Sequence, residues 1–199
     1  FTKLSFLILL IAVNIQVVAQ NVIWSEDFSG TDIPSTWTNM DVSGQVTTVW
    51  EYSTTGPYFN NQPTFTSPTA GNGFVIFDSD AVGNLPVPHD VRLTTDAIDC
   101  STLTTVIAKF SNQYAYYSTG GISIAELGVS TDGMTFSYYP ILTAIAQNDL
   151  SHAETIQEVD ISVVAAGQST VYLQFRWRGI GFHALSIDAI HMQNAFAPL

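Results

Sequence analysis

Glu26, Asp27, Asp78, Asp80 and Asp188 are the side chains whose type best suits them to hold a cation. Calcium takes about six to eight oxygen ligands from carboxylates, carbonyls and water, and an acidic chain supplies them readily. Asp78 and Asp80 are two residues apart, so in an extended segment both would point one way. A second group could bind an organic ligand. Tyr172, Arg176 and Arg178 alternate with apolar residues, and so share the polar face of one strand. Arginine forks hydrogen-bond hydroxyls or a carboxylate well. Tyr114, Tyr116 and Tyr117, with Tyr138 and Tyr139, offer flat rings on which sugars stack. Tyr172, Arg176, Arg178 and Tyr116 are therefore the candidate ligand-binding residues. The alternative is that the tyrosines populate strands through propensity alone.

Other chemistry is poorly supplied. Glu158-Val159-Asp160 is similar to part of the Glu-x-Asp-x-x-Glu signature of one jelly-roll glycosidase group, but Val163 occupies the third position. The acid/base partner is thus missing, and a solvated edge face accounts for the pair. The histidines are His89, His152, His183 and His191. His183 and His191 flank the last strand, too far apart for a simple pair of ligands, and no partners cluster with them. His152 lies near Asp149 and Glu154 in a polar loop and is expected to be exposed. The sequence contains no His-Glu-x-x-His motif, no Gly-x-Ser-x-Gly elbow and no glycine-rich phosphate loop.

The elements that must position these residues read as strands. Val171, Leu173, Phe175 and Trp177 alternate with Tyr172, Gln174, Arg176 and Arg178, the period of two that marks a half-buried strand. Similar short runs of β-branched and aromatic residues predict strands over 22–28, 47–53, 73–78, 104–111, 122–130, 134–139, 156–162 and 185–192. Asp132-Gly133 supplies the turn of a hairpin across 129–136. Segments 54–72 and 79–90 read as long connections, and Pro86 and Pro88 exclude a central strand from the second. One helical turn is expected within 141–154. Sustained helical periodicity is lacking after the first 20 residues, so the expectation is an all-β, two-sheet antiparallel jelly-roll sandwich.

Charge and length narrow the role. The chain has 199 residues, with Lys+Arg 5 against Asp+Glu 17 and a net charge of −12. Such a field repels nucleic acid and anionic membrane surfaces and attracts cations. Lys3 precedes an apolar run over residues 4–13, and Val17 and Ala19 have the small-residue spacing of a cleavage site before Gln20. That pattern describes a secretory signal over residues 1–19, and the run is short for a membrane span. The remainder divides into one sandwich domain over 20–193 and the start of a linker or tail over 194–199, with no later span. Cys100 is the single cysteine, so no internal disulfide can form. It is expected to be a small buried side chain, the alternative being an intermolecular bridge.

Several landmarks then fall in a recognisable order: Glu26-Asp27-Phe28, Ile33-Pro34, Trp37, Trp50-Glu51-Tyr52, Gly73-Phe74-Val75-Ile76-Phe77-Asp78, the strand-like Arg92–Asp99, Val129–Gly133, the strand 171–178 and Ser186-Ile187-Asp188-Ala189-Ile190. In this order the chain resembles the cleaved-adhesin, or choice-of-anchor J, domains of exported Bacteroidetes proteins, relatives of MAM-type jelly rolls. The resemblance covers nearly all of 22–192. It implies a jelly-roll sandwich with structural calcium, serving adhesion or accessory binding. It also implies that the first and last strands lie close together, bringing Glu26 or Asp27 towards Asp188. Two departures stand out. Met134-Thr135-Phe136 replaces a hairpin in which Trp is commoner, and Asp188-Ala189 replaces two consecutive acids, which removes one possible cation ligand.

The expectation for function is a secreted or cell-surface adhesion or binding module, recognising an extracellular glycan or protein and stabilised by calcium. A glycan-active hydrolase and a structural spacer of a larger exported protein are the alternatives, because the fold permits all three.

Overall fold

The computed structural model describes residues 21–44, 49–56, 65, 69–82, 88–116, 123–142, 155–179 and 183–194. The expected signal over 1–19, His152, Tyr117 and most of the expected helical turn fall outside these residues.

Two antiparallel sheets face each other, as the alternation of apolar residues predicts. One is ordered β3 (Glu51–Ser53), β4 (Phe74–Asp78), β11 (His183–Gln193), β6 (Ile107–Tyr116) and β9 (Thr155–Asp160), with β1 (Val22–Glu26) also paired to β11. The other is ordered β2 (Thr38–Asp41), β5 (His89–Thr94), β10 (Tyr172–Gly179), β7 (Ser123–Ser130) and β8 (Ser137–Ile141). Two single-turn helices, α1 (Ser79–Val82) and α2 (Ser162–Ala165), and a 3-10 turn over Ala70–Asn72 complete the described elements.

The core lies between the sheets. Val171, Leu173, Phe175 and Trp177 of the β10 segment are all fully buried, as their period of two requires. Phe110 of β6 meets Phe175 edge-on at 5.1 Å, and Phe77 of β4 meets Trp177 at the same centroid distance, so aromatic contacts join the two layers. Cys100 is buried within this cluster, where burial first, and Asp99 second, push its thiol up to about 11. A thiol so placed is neither exposed nor ionised enough to form the intermolecular bridge.

Several expected boundaries move. β8 begins three residues later than the predicted strand, because Asp132 organises the whole preceding loop. Its Oδ1 accepts from the backbone N–H of Met134 and of Thr135, both at 2.8 Å, and from Ser130 Oγ at 2.8 Å. Gly133 takes the positive φ of 71° that this turn needs. β2 was not predicted. It is a four-residue edge strand whose Thr-Asn-Met-Asp sequence lacks an apolar face. The segment 79–90 contains α1 and the start of β5, which begins directly after Pro88.

Candidate functional site

The outer face of the five-stranded sheet carries the polar residues left over by the core alternation. Along β10 these are Tyr172, Gln174, Arg176 and Arg178. Register places Asp90 opposite Arg178, and Arg92 opposite Arg176, on β5; on β7, Glu126 lies opposite Arg176 and Gly128 opposite Gln174.

Arg176 is the hub of this face. Its Nε donates to Asp90 Oδ1 at 2.9 Å, its Nη2 to Asp90 Oδ2 at 2.7 Å and its Nη1 to Glu126 Oε2 at 3.0 Å. Arg92 binds the same Asp90 through Nε and Nη2 at 3.0 and 3.1 Å. Burial pushes the Asp90 carboxyl up, but hydrogen bonds from Arg176 and Arg92 outweigh it and hold the group down at about 2. The hydrogen bond it donates to Asp90 leads the causes that raise the Arg176 pKa. Tyr138 stacks over the hub, with the Arg176 guanidinium carbon 5.0 Å from its ring centroid.

A chain of hydrogen bonds continues from there. Tyr138 donates its hydroxyl to Gln174 Oε1 at 2.7 Å, and Gln174 Nε2 donates to Thr94 Oγ1 at 2.9 Å. Beside it opens a shallow cavity of about 200 Å³, floored by Arg92, Thr94 and Gln174 and walled by Met40 on one side and Met134 and Phe136 on the other. Gly128 permits this arrangement. A Cβ there would stand 2.9 Å from Tyr138 Cε1 and 3.1 Å from Phe136 Cδ1, so the two rings settle on the sheet only because the side chain is absent. The result is a polar floor fixed by internal bonds between apolar walls, a combination suited to ligands with hydroxyl edges and apolar faces.

Three of the four expected ligand residues, Tyr172, Arg176 and Arg178, lie on this face. Tyr172 packs beside Gly133 of the hairpin. Arg176 is spent on its carboxylates, whereas Arg178 forms no ion pair with a described residue. Tyr116 does not join them, because it ends β6 of the other sheet, opposite His183. Tyr114 is buried in the core, so the tyrosines of β6 and β8 form no single platform. Sequence reasoning missed Asp90, Arg92, Glu126, Gln174 and Phe136. Alternation along β10 assigned Gln174 to the right face, but strand order alone decides which residues stand beside it.

The acids proposed for a cation separate into two groups. Asp78 ends β4 opposite Ala184, four residues and roughly 13 Å along β11 from Asp188. The extended geometry expected for Asp78 and Asp80 is also replaced: Asp78 Oδ1 accepts from the N–H of Asp80 at 3.0 Å and of Ala81 at 3.2 Å, capping α1. Asp27 and Asp188 do approach one turn. β11 pairs with β4 through Ile187 and with β1 from Ile190 onward, so Asp188-Ala189 lie where its partners change. Ala189 has a φ of 48° there, and register with β6 shifts. Thr69 Oγ1 donates to Asp188 Oδ2 at 2.6 Å, and Asn72 Nδ2 donates to Asp27 Oδ2 at 3.3 Å. The 3-10 turn Ala70–Asn72 therefore bridges the two carboxylates. Glu26 Oε1 is engaged locally by the N–H of Phe28 at 2.6 Å.

The carboxylates of Asp27 and Asp188 offer hard oxygen donors, although Asn72 Nδ2 and the Ala189 N–H already engage them. Among the described residues no three His, Cys, Asp or Glu side chains form a metal-holding group. A calcium ion at Asp27 and Asp188 would thus complete its shell from backbone carbonyls, hydroxyls and water.

The remaining candidates have structural roles. Glu158, on edge strand β9, pairs with Lys109 Nζ at 2.7 Å, and Asp160 caps the turn at Ser162. His89 is fully buried, within 3.1 Å of Ser79 Oγ through Nδ1, and burial, opposed by Asp41, lowers its pKa. His191 stands on β11 opposite Ser25, and burial lowers its pKa as well.

No family model and no curated protein matches the chain in sequence. Among solved structures, the chain is similar to the K1 cleaved adhesin domain of Lys-gingipain from Porphyromonas gingivalis, at 16% identity, 87% of this chain, 98% of that chain and a TM-score of 0.56. The K3 cleaved adhesin domain of the same protein matches at 15% identity over 88% of this chain and 99% of that one, with a TM-score of 0.53. The TmCBM61 domain, solved with β-1,4-galactotriose, matches at 13% identity over 85% and 94%, with a TM-score of 0.51. At these identities the likeness is one of fold: the chain is a two-sheet antiparallel β-sandwich of the jelly-roll kind shared by adhesin and carbohydrate-binding domains.

Proposed function

We propose that this protein is an extracellular or cell-surface binding module that recognises carbohydrate on the outer face of its five-stranded sheet. The observation that carries this reading is the groove itself. Its floor of Arg92, Thr94 and Gln174 is preorganised by hydrogen bonds and lies between Met40 and the Met134–Phe136 wall. Met134 is 86% exposed and Met40 43% exposed, so apolar area stands ready on both sides of a polar strip. A sugar ring presents the complementary surface, and preorganisation lowers the cost of ordering the site on binding. A protein ligand is the second partner class such a strip accommodates.

A binding role fits the carboxylates of this face better than hydrolysis does. A glycosidase needs one carboxyl kept protonated by a raised pKa. Asp90 is held in the opposite direction, and Glu126 is bound to the same guanidinium. Calcium at the Asp27–Asp188 corner would act at a distance from the groove, tying the first and last strands to the turn before β4. The signal-like residues 1–19 support export.

Calorimetric titration with oligosaccharides, run beside an assay for released reducing ends, tests the proposal. Binding without turnover, lost in Phe136→Ala and Gln174→Ala at unchanged melting temperature, is the expected result. Turnover by the protein would replace this reading with the hydrolase. Absence of binding to any glycan or protein ligand would leave the spacer.

A further inference from the structure

The basic residues are distributed unevenly. The chain has five lysines and arginines in all: Lys3, Lys109, Arg92, Arg176 and Arg178. All three arginines stand on the outer face of the five-stranded sheet, Arg92 on β5 and Arg176 and Arg178 on β10. Their carboxylate partners there are Asp90 and Glu126. Three of the chain's five basic side chains thus gather on one sheet face, against two carboxylate partners, in a chain whose net charge is −12. The acids nearest its rim are each engaged by their own neighbours, Asp96 by the Thr36 hydroxyl. Asp132 is folded onto the N–H groups of its own loop, and Asp41 alternates with the outward Met40 and binds Ser43.

The two carboxylates do not use all the donors. Asp90 is shared between Arg176 and Arg92, and Arg92 contributes only its Nε and Nη2 to that pair. Arg92 Nη1 is engaged by no described residue, and Arg92 forms part of the groove floor. Arg178 continues the row one step beyond Arg176, flanked in register by Asp90 and Ile124, and no described acid lies within ion-pair distance of it. Successive residues on one strand face are roughly 7 Å apart, so the row from Gln174 to Arg178 spans about 14 Å. That is a polar track with one saturated arginine at its centre, Arg178 one step beyond it along β10 and Arg92 beside it on β5.

A guanidinium held on a rigid sheet with donors left for solvent is a ready partner for an anion. Its fork matches carboxylate and sulfate geometry in a way that neutral hydroxyls do not exploit. A chain this acidic would otherwise repel such a ligand, which makes the local gathering of guanidinium groups the discriminating feature. We propose that the ligand of this face is an anionic glycan, one carrying uronate carboxylates or sulfate esters, gripped by Arg92 and Arg178 beside the Arg176 hub. This inference rests on the glycan-binding reading of the same face and names the class of sugar it takes.

The test compares probes that differ in charge. Oligogalacturonate, its fully methyl-esterified form, a sulfated chondroitin oligosaccharide and a panel of neutral galacto- and xylo-oligosaccharides are titrated calorimetrically into the full chain. Arg178→Gln removes the charge while keeping a polar side chain. Lys109→Gln, on the opposite sheet, is the control. The expected result is binding of oligogalacturonate or the sulfated probe at least about tenfold tighter than the methyl ester, weakened about tenfold by Arg178→Gln and by added salt, and unchanged by Lys109→Gln. Which of the two anions binds identifies the source of the charge. Equal binding of ester and acid, or binding of neutral sugars alone, with no effect of Arg178→Gln, overturns the anionic class and leaves glycan binding standing. Binding of no probe, charged or neutral, overturns both.

Discussion

Arg176 on β10 grips Asp90 on β5 with two hydrogen bonds, 2.9 Å from Nε to Oδ1 and 2.7 Å from Nη2 to Oδ2. The pair is diagonal rather than directly opposed, since register sets Asp90 against Arg178 and Arg92 against Arg176. One carboxylate is therefore shared by two arginines, and Glu126 supplies the second negative charge at the hub. Side chains only 14% exposed on both partners make this contact much stronger than a surface ion pair.

Breaking the hub should be costly. Arg176→Met leaves the largely buried Asp90 and Glu126 carboxylates with fewer partners, and a loss of about 2–4 kcal/mol is expected in equilibrium urea unfolding. Arg176→Lys should recover less than half of it, because an ammonium cannot reproduce the bidentate fork. A variant as stable as the parent would show that the network contributes only to binding.

The same pair predicts a pH dependence with a definite sign. Asp90 is held at about 2 in the folded protein, below the usual value of about 3.9 in an unfolded chain. Its contribution is fully present above about pH 4 and is lost as the pH falls towards 2, for a total of up to about 2 kcal/mol. Asp132 is also held at about 2, by its own loop, and titrates in the same window. Unfolding midpoints at pH 7, 4 and 2.5 should fall less steeply in Asp90→Asn than in the parent. Parallel curves for the two proteins would remove Asp90 as the cause.

Gly128→Ala places a methyl group against Tyr138, Phe136 and the Cβ of Gln174. Moving two rings and the strand beneath them should cost about 1–3 kcal/mol. Glycan affinity should fall alongside, because Phe136 forms the groove wall and Tyr138 holds Gln174. Unchanged stability and unchanged affinity would mean that the rings tolerate a lifted position.

Calcium should stabilise the corner where β1 and β11 meet. A thermal melt in millimolar calcium is expected to lie several degrees above one in chelator, following the mass-action rule for a ligand bound only by the folded state. Asp188→Asn should melt lower and show no calcium shift. An identical midpoint with and without chelator in the parent would remove the ion from the account.

Much of the β10 side of the site was legible from sequence, because strand periodicity is local. The alternation from Val171 to Arg178 assigned each residue to the core or the outer face, and burial follows it closely. Trp177 is fully buried and Arg176 is not, two neighbours with opposite fates fixed by the pleat. Asp132-Gly133 likewise announced its turn, since only a residue tolerant of positive φ closes it at low cost. β2 escaped because a short edge strand with one neighbour needs little apolar patterning. Asp78 and Asp80 were misjudged in geometry for a similar reason: a one-turn helix capped by Asp78 leaves no periodic trace.

What the sequence determined alone is what depends on neighbours along the chain: all-β character, the face assignment of each strand, the turn at Gly133 and the acid excess. Tertiary structure decided everything that depends on which strand lies beside which. It joined Asp90 from β5 and Glu126 from β7 to Arg176, and it placed Tyr116 on the opposite sheet. It separated Asp78 from Asp188 by four residues of β11, while a turn near residue 70 bridged Asp27 to Asp188. The physical reason is that hydrogen-bond register between strands is set by global packing of two sheets, and a ladder of identical backbone groups carries no local record of its partner.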